Sequence, residues 1–532
     1  MADEFYSKAL NLEPENAELL CNRAAARLRL RWFTAAADDA RAALTIRPGW
    51  AKAQYRVAQA HMGRRDGASA VAAASAAATL LPDDVAIRQL LEEALTLKSA
   101  QSGAKPLPDV RTYPQLWERV AYKDNMHVVC ADGGAAFACI ADALQQLTAL
   151  PHSPGVTLIL LPGVYTEQLH IEASRVQLLG WITGPQPGKR GAEIRMSSDA
   201  QAFRRFRSSG GPKASGLTGY ELITATGTEA DLCVEGLELV QPNGAPHTET
   251  GNCVLCRQGA AVRVIDCQAR TPDSPVFAVT DAGSCLSLKR VFVRHESSAA
   301  ALAVDNASLQ CDECTFSKLQ KGAVEVRSGA RAVLRSCHLL KCAQQALVLY
   351  AGGARLELYD CVLRRCGKHP NKSAVLAECG SLIMRRCTLE NHDAEAIVLQ
   401  ASEKSGELKT AAVALLDSCN FNRNRYGVAI YFGSGLLLDC TAHDNLQSGV
   451  LISGVPPQAR LTLRGCTLAR NGAVANPLDL IVRGRTLFER SVQLDSKNAF
   501  SVPPVILSDA VADISVRSGN AELQRACARR DS

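Results

Sequence analysis

"GARAVLRSC" (Gly329–Cys337) is followed one repeat later by "GARLELYDC" (Gly353–Cys361). In each stretch a glycine opens a turn, a short strand-like apolar run follows, and a cysteine closes it. The same run recurs as "AVRVIDC", "LIMRRC", "ALLDSC", "LLLDC" and "LTLRGC", closing at Cys267, Cys387, Cys419, Cys440 and Cys466. Cys314 closes "SLQCDEC", and Arg290 is read as filling the slot between Cys267 and Cys314. The steps stay nearly constant up to Cys361 and are looser beyond it. Gly259, Gly283, Asn306, Gly329, Gly353 and Gly380 stand seven or eight positions ahead of the closing residue. A period of about 24 residues holding several short strands is one coil of a parallel β-helix. Coils stack at about 4.8 Å, so equivalent residues form columns. A cysteine column is expected to face inward, because the thiol is small and tolerates burial. The Asn and Gly residues of "NRNRYGVAI", "HDNLQSGVLI" and "LARNG" are expected at corners that need left-handed backbone.

Upstream the period changes. Pro14, Pro48 and Pro82 recur at one constant interval, and Ala2, Ala36 and Ala70 keep the same interval, as do Ala9, Ala43 and Ala77. A period of roughly 34 residues with small residues at fixed offsets predicts stacked helical hairpins. The prolines close one hairpin and open the next. "SAQSGAKPLPDV" (Ser99–Val110) reads as a linker. One further helix is expected in "AAFACIADALQQLTAL", with Phe137, Ile140, Leu144 and Leu147 on one face.

Composition narrows the function classes. The chain has 532 residues, too many for a single ordinary core. A net charge of +6 over that length is a weak signal for nucleic acid, and 5% aromatic residues supply few stacking platforms. No apolar run reaches membrane-spanning length, so neither nucleic acid nor membrane is expected as a partner. "MADEFYSKAL" lacks the basic region and apolar core of a signal peptide. With twenty cysteines, that predicts free thiols in a reducing, cytoplasmic setting. "CDEC" (Cys311–Cys314) is a single pair with no matching pair, so neither metal nor cofactor is expected.

The first segment resembles the tetratricopeptide repeat family. "NLEPENAELLCNRAAARLRL" (11–30) and "RPGWAKAQYR" (47–56) are similar to the subclass found in co-chaperones, and "DDVAIRQLLEEALTLK" (83–98) looks like its capping helix. In that subclass the first helices of the repeats line a groove that holds the terminal carboxylate of a partner's acidic tail. The matching positions here are Asn22, Lys52 and Arg56. Lys52 and Arg56 lie one helical turn apart, and a shared anion would offset their repulsion. The chain opens in what matches the second helix of the first repeat, so a lysine and an asparagine of the family pattern have no counterpart. That leaves either a truncated first repeat or a degenerate clamp, and a solvated basic face is the plain alternative.

The later segment resembles the pectin-lyase-like right-handed β-helix superfamily. "VVCADGGAAFACIADAL" followed by "LILLPGVYTEQLHI" looks like the N-terminal cap and first coils of pectin esterases, in which an amphipathic helix closes the end of the core. The repeat is also similar to those of intracellular F-box and adaptor proteins. Beyond Gly163–Glu167 the esterase motifs do not recur, nor do the acid motifs of polygalacturonases. Asp266, Asp360 and Asp439 precede the ladder cysteine several coils apart and read as solvated coil-face residues. Tyr165 and Glu167 are assigned to the cap. The ten histidines suggest no Ser/His/Asp set. The basic segment Gly188–Gly216 is read as an insertion between early coils.

The expected architecture is multidomain. A tetratricopeptide-repeat α-solenoid spans 1–98 and a linker spans 99–112. A right-handed parallel β-helix spans 113–510, with a capping helix near 136–150, and a tail spans 511–532. The expected function is a non-catalytic interaction scaffold. The repeats would grip an acidic C-terminal tail, that of a heat-shock chaperone among the candidates, and the β-helix would present a second protein- or glycan-binding face. The alternative is a polysaccharide-active enzyme of the lyase or esterase class.

Overall fold

The computed structural model describes residues 2–101, 110–132, 135, 137–148, 155–172, 174–181, 191–195, 221–241, 251–271, 275–294, 300–350, 353–367, 372–400, 411–453, 460–473, 476–483, 489–495, 497–502, 505–507 and 513–517. Most of the expected linker, most of the tail beyond 511 and most of the basic segment lie outside these. Of the basic segment, Ala192–Arg195 forms a strand. The chain divides into two compact units, 1–167 with 175–193, and 168–174 with 194–532.

The first unit opens with six helices: α1 (Ala2–Leu12), α2 (Ala17–Arg29), α3 (Phe33–Ile46), α4 (Ala51–Gly63), α5 (Gly67–Leu80) and α6 (Val85–Gln101). Asn16 caps α2 by accepting from the N–H groups of Glu18 and Leu19, and Asp66 caps α5 by accepting from that of Ser69. Pro14, Pro48 and Pro82 fall in the turns between hairpins. Ala36, Ala43, Ala70 and Ala77 are completely buried, so the small residues of the helical repeat sit where helices approach closely. Arg31 and Arg65 recur at the same interval, and both take the left-handed backbone (φ 61° and 57°) that joins the two helices of a hairpin. The helical solenoid is therefore present as read from the sequence.

After the helices, Val110, Leu116, Val120, Ile159, Leu179 and Trp181 form a separate core. It backs a parallel sheet of Met126–Val129, Val156–Leu160 and Arg175–Gly180. The expected capping helix is shorter than the sequence suggested, Ile140–Leu147. Phe137 instead bridges to Val129 as extended chain. Glu167 receives the N–H groups of Ile140 and Ala141 at 2.8 and 2.7 Å, and the Tyr165 hydroxyl donates to the carbonyls of Val129 and Leu161. Both residues are structural.

The second unit is a right-handed parallel β-helix. Leu302–Asp305, Ser308–Asp312 and Thr315–Ser317 form one coil. They pair in register with Val324–Arg327, Arg331–Arg335 and His338–Leu340 of the next. Alternate residues point inward. Val264, Leu288, Cys311, Leu334, Leu358, Met384, Leu416, Leu437 and Leu463 make one such column, all buried. Each fully buried aliphatic side chain stabilises by roughly 1.5–3 kcal/mol. The opening-turn column behaves as its residue types require: Gly259, Gly283, Asn306, Gly329, Gly353 and Gly380 all have φ between 49° and 86°.

The cysteine ladder is continuous and inward. Cys314, Cys337, Cys361, Cys387, Cys419, Cys440 and Cys466 are each no more than 1% exposed. Their thiols donate to the carbonyl two residues back, and five of the seven also to a carbonyl one coil back, as Cys337 does to Arg335 and Cys311. These cysteines are free thiols, and burial pushes Cys267 up to about 12. Two register readings need correction. The slot between Cys267 and Cys314 belongs to Val291, not Arg290, because Phe292 pairs with both Gln268 and Thr315. Arg290 occupies the preceding left-handed column with Asp266, Glu313, Ser336, Asp360, Arg386, Ser418 and Asp439 (φ 48° to 56°). Its guanidinium binds Asp266 at 2.6 and 2.8 Å.

The second correction concerns the corner asparagines. Asn424, Asn445 and Asn471 are buried in a ladder, and the left-handed residues are those just before them, Arg423, Asp444 and Arg470. Asn445 Oδ1 accepts from the Asn424 N–H and Asn471 Oδ1 from the Asn445 N–H, while each amide donates to a strand carbonyl. Corner backbone groups that face the core thus find partners there. Gly427 of this region is sterically required, because a Cβ there would stand 2.3 Å from the Gly449 carbonyl oxygen.

Candidate functional site

The sequence pointed to Asn22, Lys52 and Arg56. Asn22 lies on α2, and Lys52 and Arg56 on α4. Cys21 of α2, next to Asn22, and Ala53 of α4, next to Lys52, are both fully buried and belong to one apolar cluster, so the two helices pack together beside these residues. Burial raises the Cys21 thiol, and the charges of Lys52 and Arg56 partly offset it. Lys52 is exposed. Arg56 is half-buried, its Nη1 donating to Gln59 Oε1 at 2.7 Å and its guanidinium lying over Tyr55. Its Nε is buried with no hydrogen-bond partner among the described residues. Other arginines of the solenoid are spent on structure: Arg23 and Arg27 both bind the buried Asp39.

Sequence reasoning missed a second feature, a groove of about 440 Å³ on the β-helix. Its floor is one outward column in register over four coils: Glu325, Val348, Leu376 and Val398. One wall carries Tyr350, Glu378, Gln400 and Tyr431, each following a strand of the same sheet; the other carries Gln345, Ser373 and Glu395. Glu325 is 4% exposed and held by Lys321 at 3.1 Å and Arg327 at 2.5 Å. Burial, with Glu325 and Glu378 nearby, raises the Tyr350 hydroxyl. Glu395 is nine-tenths buried, and no ion pair neutralises it among the described residues. Hydroxyl, amide and carboxylate groups above an apolar floor suit a hydrogen-bonding chain laid along the coil axis. The signal was present as outward residues of one sheet, but nothing local distinguished them from other solvated positions. Asp266 and Asp360, by contrast, are engaged by Arg290 and Arg386 of the adjacent coil. Among the described residues no group of three or more His, Cys, Asp and Glu is arranged to hold a metal ion, and no helix is long and apolar enough to cross a membrane.

Comparison with known proteins divides along the same line. The family described as "Right handed beta helix region" matches residues 274–410. The "Hsp70-Hsp90 organizing protein" of Triticum aestivum is 31% identical over 122 residues, 22% of this chain and 21% of that protein. "Tetratricopeptide repeat protein 28" of Homo sapiens is 31% identical over 130 residues, 24% of this chain and 5% of that one. The chain thus spans about a fifth or less of the length of these relatives. The helical region is thus similar to tetratricopeptide-repeat proteins, and the segment after it matches a right-handed β-helix. Among solved structures, the catalytic domain of a GH87 alpha-1,3-glucanase aligns over 76% of this chain and 70% of its own, at 11% identity and a TM-score of 0.44. A pectin methylesterase aligns over 55% and 89%, at 12% and 0.32. The expectation of a chain without catalytic activity is corrected on this finding, since these structures are polysaccharide-active enzymes. The missing esterase and polygalacturonase motifs exclude only those motif-bearing arrangements.

Proposed function

We propose that this chain is a cytoplasmic interaction protein whose repeat module, residues 1–98, binds the acidic C-terminal tail of a partner. What supports the reading is the α2–α4 pairing: Cys21, next to Asn22, and Ala53, next to Lys52, share one apolar cluster, the charges of Lys52 and Arg56 reach Cys21, and Arg56 keeps a buried Nε with no hydrogen-bond partner among the described residues. A terminal carboxylate beside acidic side chains complements two cations, and each charge-assisted hydrogen bond contributes about 1.5–3 kcal/mol. Similarity to an Hsp70-Hsp90 organizing protein supports a heat-shock chaperone as the owner of that tail. The β-helix then presents a second face, and its groove suits a protein segment or a glycan. The test is calorimetric titration of the full chain with an acidic-tailed peptide and with the same peptide amidated at its C-terminus. The expected result is weaker binding of the amidated form and of the Lys52→Ala/Arg56→Ala variant; equal affinities in both comparisons overturn the reading.

A second reading is favoured by the groove itself. Glu325, Glu378 and Glu395 place three carboxylates along one channel beside two tyrosines. Glycoside chemistry needs a pair of such acids on opposite sides of the scissile bond. Turnover of an α-glucan or polyuronate that Glu395→Gln abolishes would establish it. No turnover on a polysaccharide panel would leave the groove as a binding face.

A further inference from the structure

The turn that follows the third strand of each coil has one left-handed residue, and on successive coils these form a column. It reads Lys318, Lys341, Arg365, Asn391, Arg423, Asp444 and Arg470, with φ between 55° and 59° throughout. The register is secured by the strands just before it, from Ser317 through Leu340, Arg364, Glu390 and Asn422 to His443. It is secured again by the column's own N–H groups, Lys318 donating to the Leu340 carbonyl and Lys341 to that of Arg364. Three cations therefore stand on consecutive coils about 4.8 Å apart.

Elsewhere in the β-helix, and at the far end of this same column, acid and base on adjacent coils neutralise each other. Asp266 is followed by Arg290, Asp360 by Arg386, and Asp444 by Arg470, each pair closed by two hydrogen bonds. Lys318, Lys341, Arg365 and Arg423 are exposed, and none forms an ion pair with a carboxylate among the described residues. Glu390, an acid at the end of a strand leading into this column, is already bound to Arg364. A like-charged row on a rigid lattice repels itself, and an external anion relieves that repulsion.

We infer that the Lys318–Lys341–Arg365 column is a docking strip for an extended acidic polypeptide segment, distinct from the helical clamp. An extended chain offers carboxylates on one face every 6.6–6.8 Å or so, and long lysine and arginine side chains absorb the mismatch with the coil spacing. Sugar rings are recognised by stacking on aromatic faces. The strands that lead into this strip present Thr315, Ser317, His338, Leu340, Val362, Arg364, Thr388 and Glu390 outward, none of them Phe, Tyr or Trp, and the exposed Phe292 one coil earlier is a single ring rather than a stacking row. Peptide carboxylates need only the cations.

The experiment uses the full chain carrying Lys52→Ala and Arg56→Ala, which silences the helical clamp, and a fluorescent oligoglutamate amidated at its C-terminus. Failure here is then separate from failure of the clamp reading. Anisotropy should show binding that weakens as salt rises from about 50 to about 300 mM. Replacing Lys318, Lys341 and Arg365 together by Asn should weaken it at least about tenfold. Asn tolerates the left-handed backbone and already stands in this column at Asn391, so the variant should melt no lower than its parent. As a check free of substitutions, bound oligoglutamate should protect Lys318 and Lys341 from acetylation. Unchanged binding in the triple variant, unprotected lysines, or tighter binding of a sulfated glycan or a single-stranded oligonucleotide at the same residues would overturn the proposal.

Discussion

Arg386 lies one coil beyond Asp360 and holds its carboxylate through Nε and Nη2, each at 2.7 Å. The next residue after Asp360, Cys361, is fully buried. One step along the chain thus separates a solvated ion pair from the core, and the two sites answer differently to substitution. Arg386→Ala should leave stability nearly unchanged, because both partners are open to water. Cys361→Asp should destabilise by several kcal/mol, about 3–5, since a buried charge there has no counter-ion. Chemical denaturation of the two variants side by side checks the register; similar losses would contradict it.

The asparagine ladder should be as costly to interrupt. Asn445 accepts the Asn424 N–H at 2.9 Å and donates to the Phe421 carbonyl at 3.1 Å. Asn445→Ala orphans both groups inside the core. A loss on the order of 3 kcal/mol is expected from thermal or urea unfolding.

His392 occupies the same inward column, between Cys366 and Asn424. Its Nδ1 lies 3.0 Å from the Cys366 nitrogen and 3.1 Å from the Cys366 carbonyl oxygen, and its Nε2 is buried with no hydrogen-bond partner among the described residues. Burial lowers this histidine from 6.5 to about 4. The native state therefore resists a proton that the unfolded chain accepts. Stability is full above pH 6.5 and falls as pH is lowered from 6.5 towards 4. His392→Asn should flatten that slope and leave stability at pH 7.5 or so no lower, because Asn is the ladder residue of the following coils. Urea titrations at several pH values measure it.

At the helical clamp, Lys52→Ala and Arg56→Ala should each weaken acidic-tail binding, and raised salt should weaken it further. Asn22→Ala should lower affinity with a smaller change in salt slope, since it removes a hydrogen bond and no charge. A salt slope unaffected by losing either cation would return Lys52 and Arg56 to an ordinary solvated face.

Much of the molecule was legible because repetition multiplies weak local signals. A lone Gly or Ala says little, but Ala36, Ala43, Ala70 and Ala77 at one period, and Gly329 and Gly353 at another, state where close approach and left-handed backbone recur. Reading failed where two environments accept the same residue type. Asparagine suits a left-handed corner and also a buried ladder, so Asn424 was put one position out. Arg290 was set in the thiol column because its spacing nearly matched. Val291, which fills the slot, resembles any strand valine.

Period and residue type by themselves therefore determined the two solenoids and the inward cysteine ladder, while the clamp candidates came from the resemblance to co-chaperone repeats. Only the tertiary structure decided which outward residues meet. Glu325, Tyr350, Glu378, Glu395 and Tyr431 share a groove, and Lys318, Lys341 and Arg365 share a row. The physical reason is that inward positions are constrained by burial and leave a pattern in composition. Outward positions are free to vary, and they become neighbours only through the register of stacked coils.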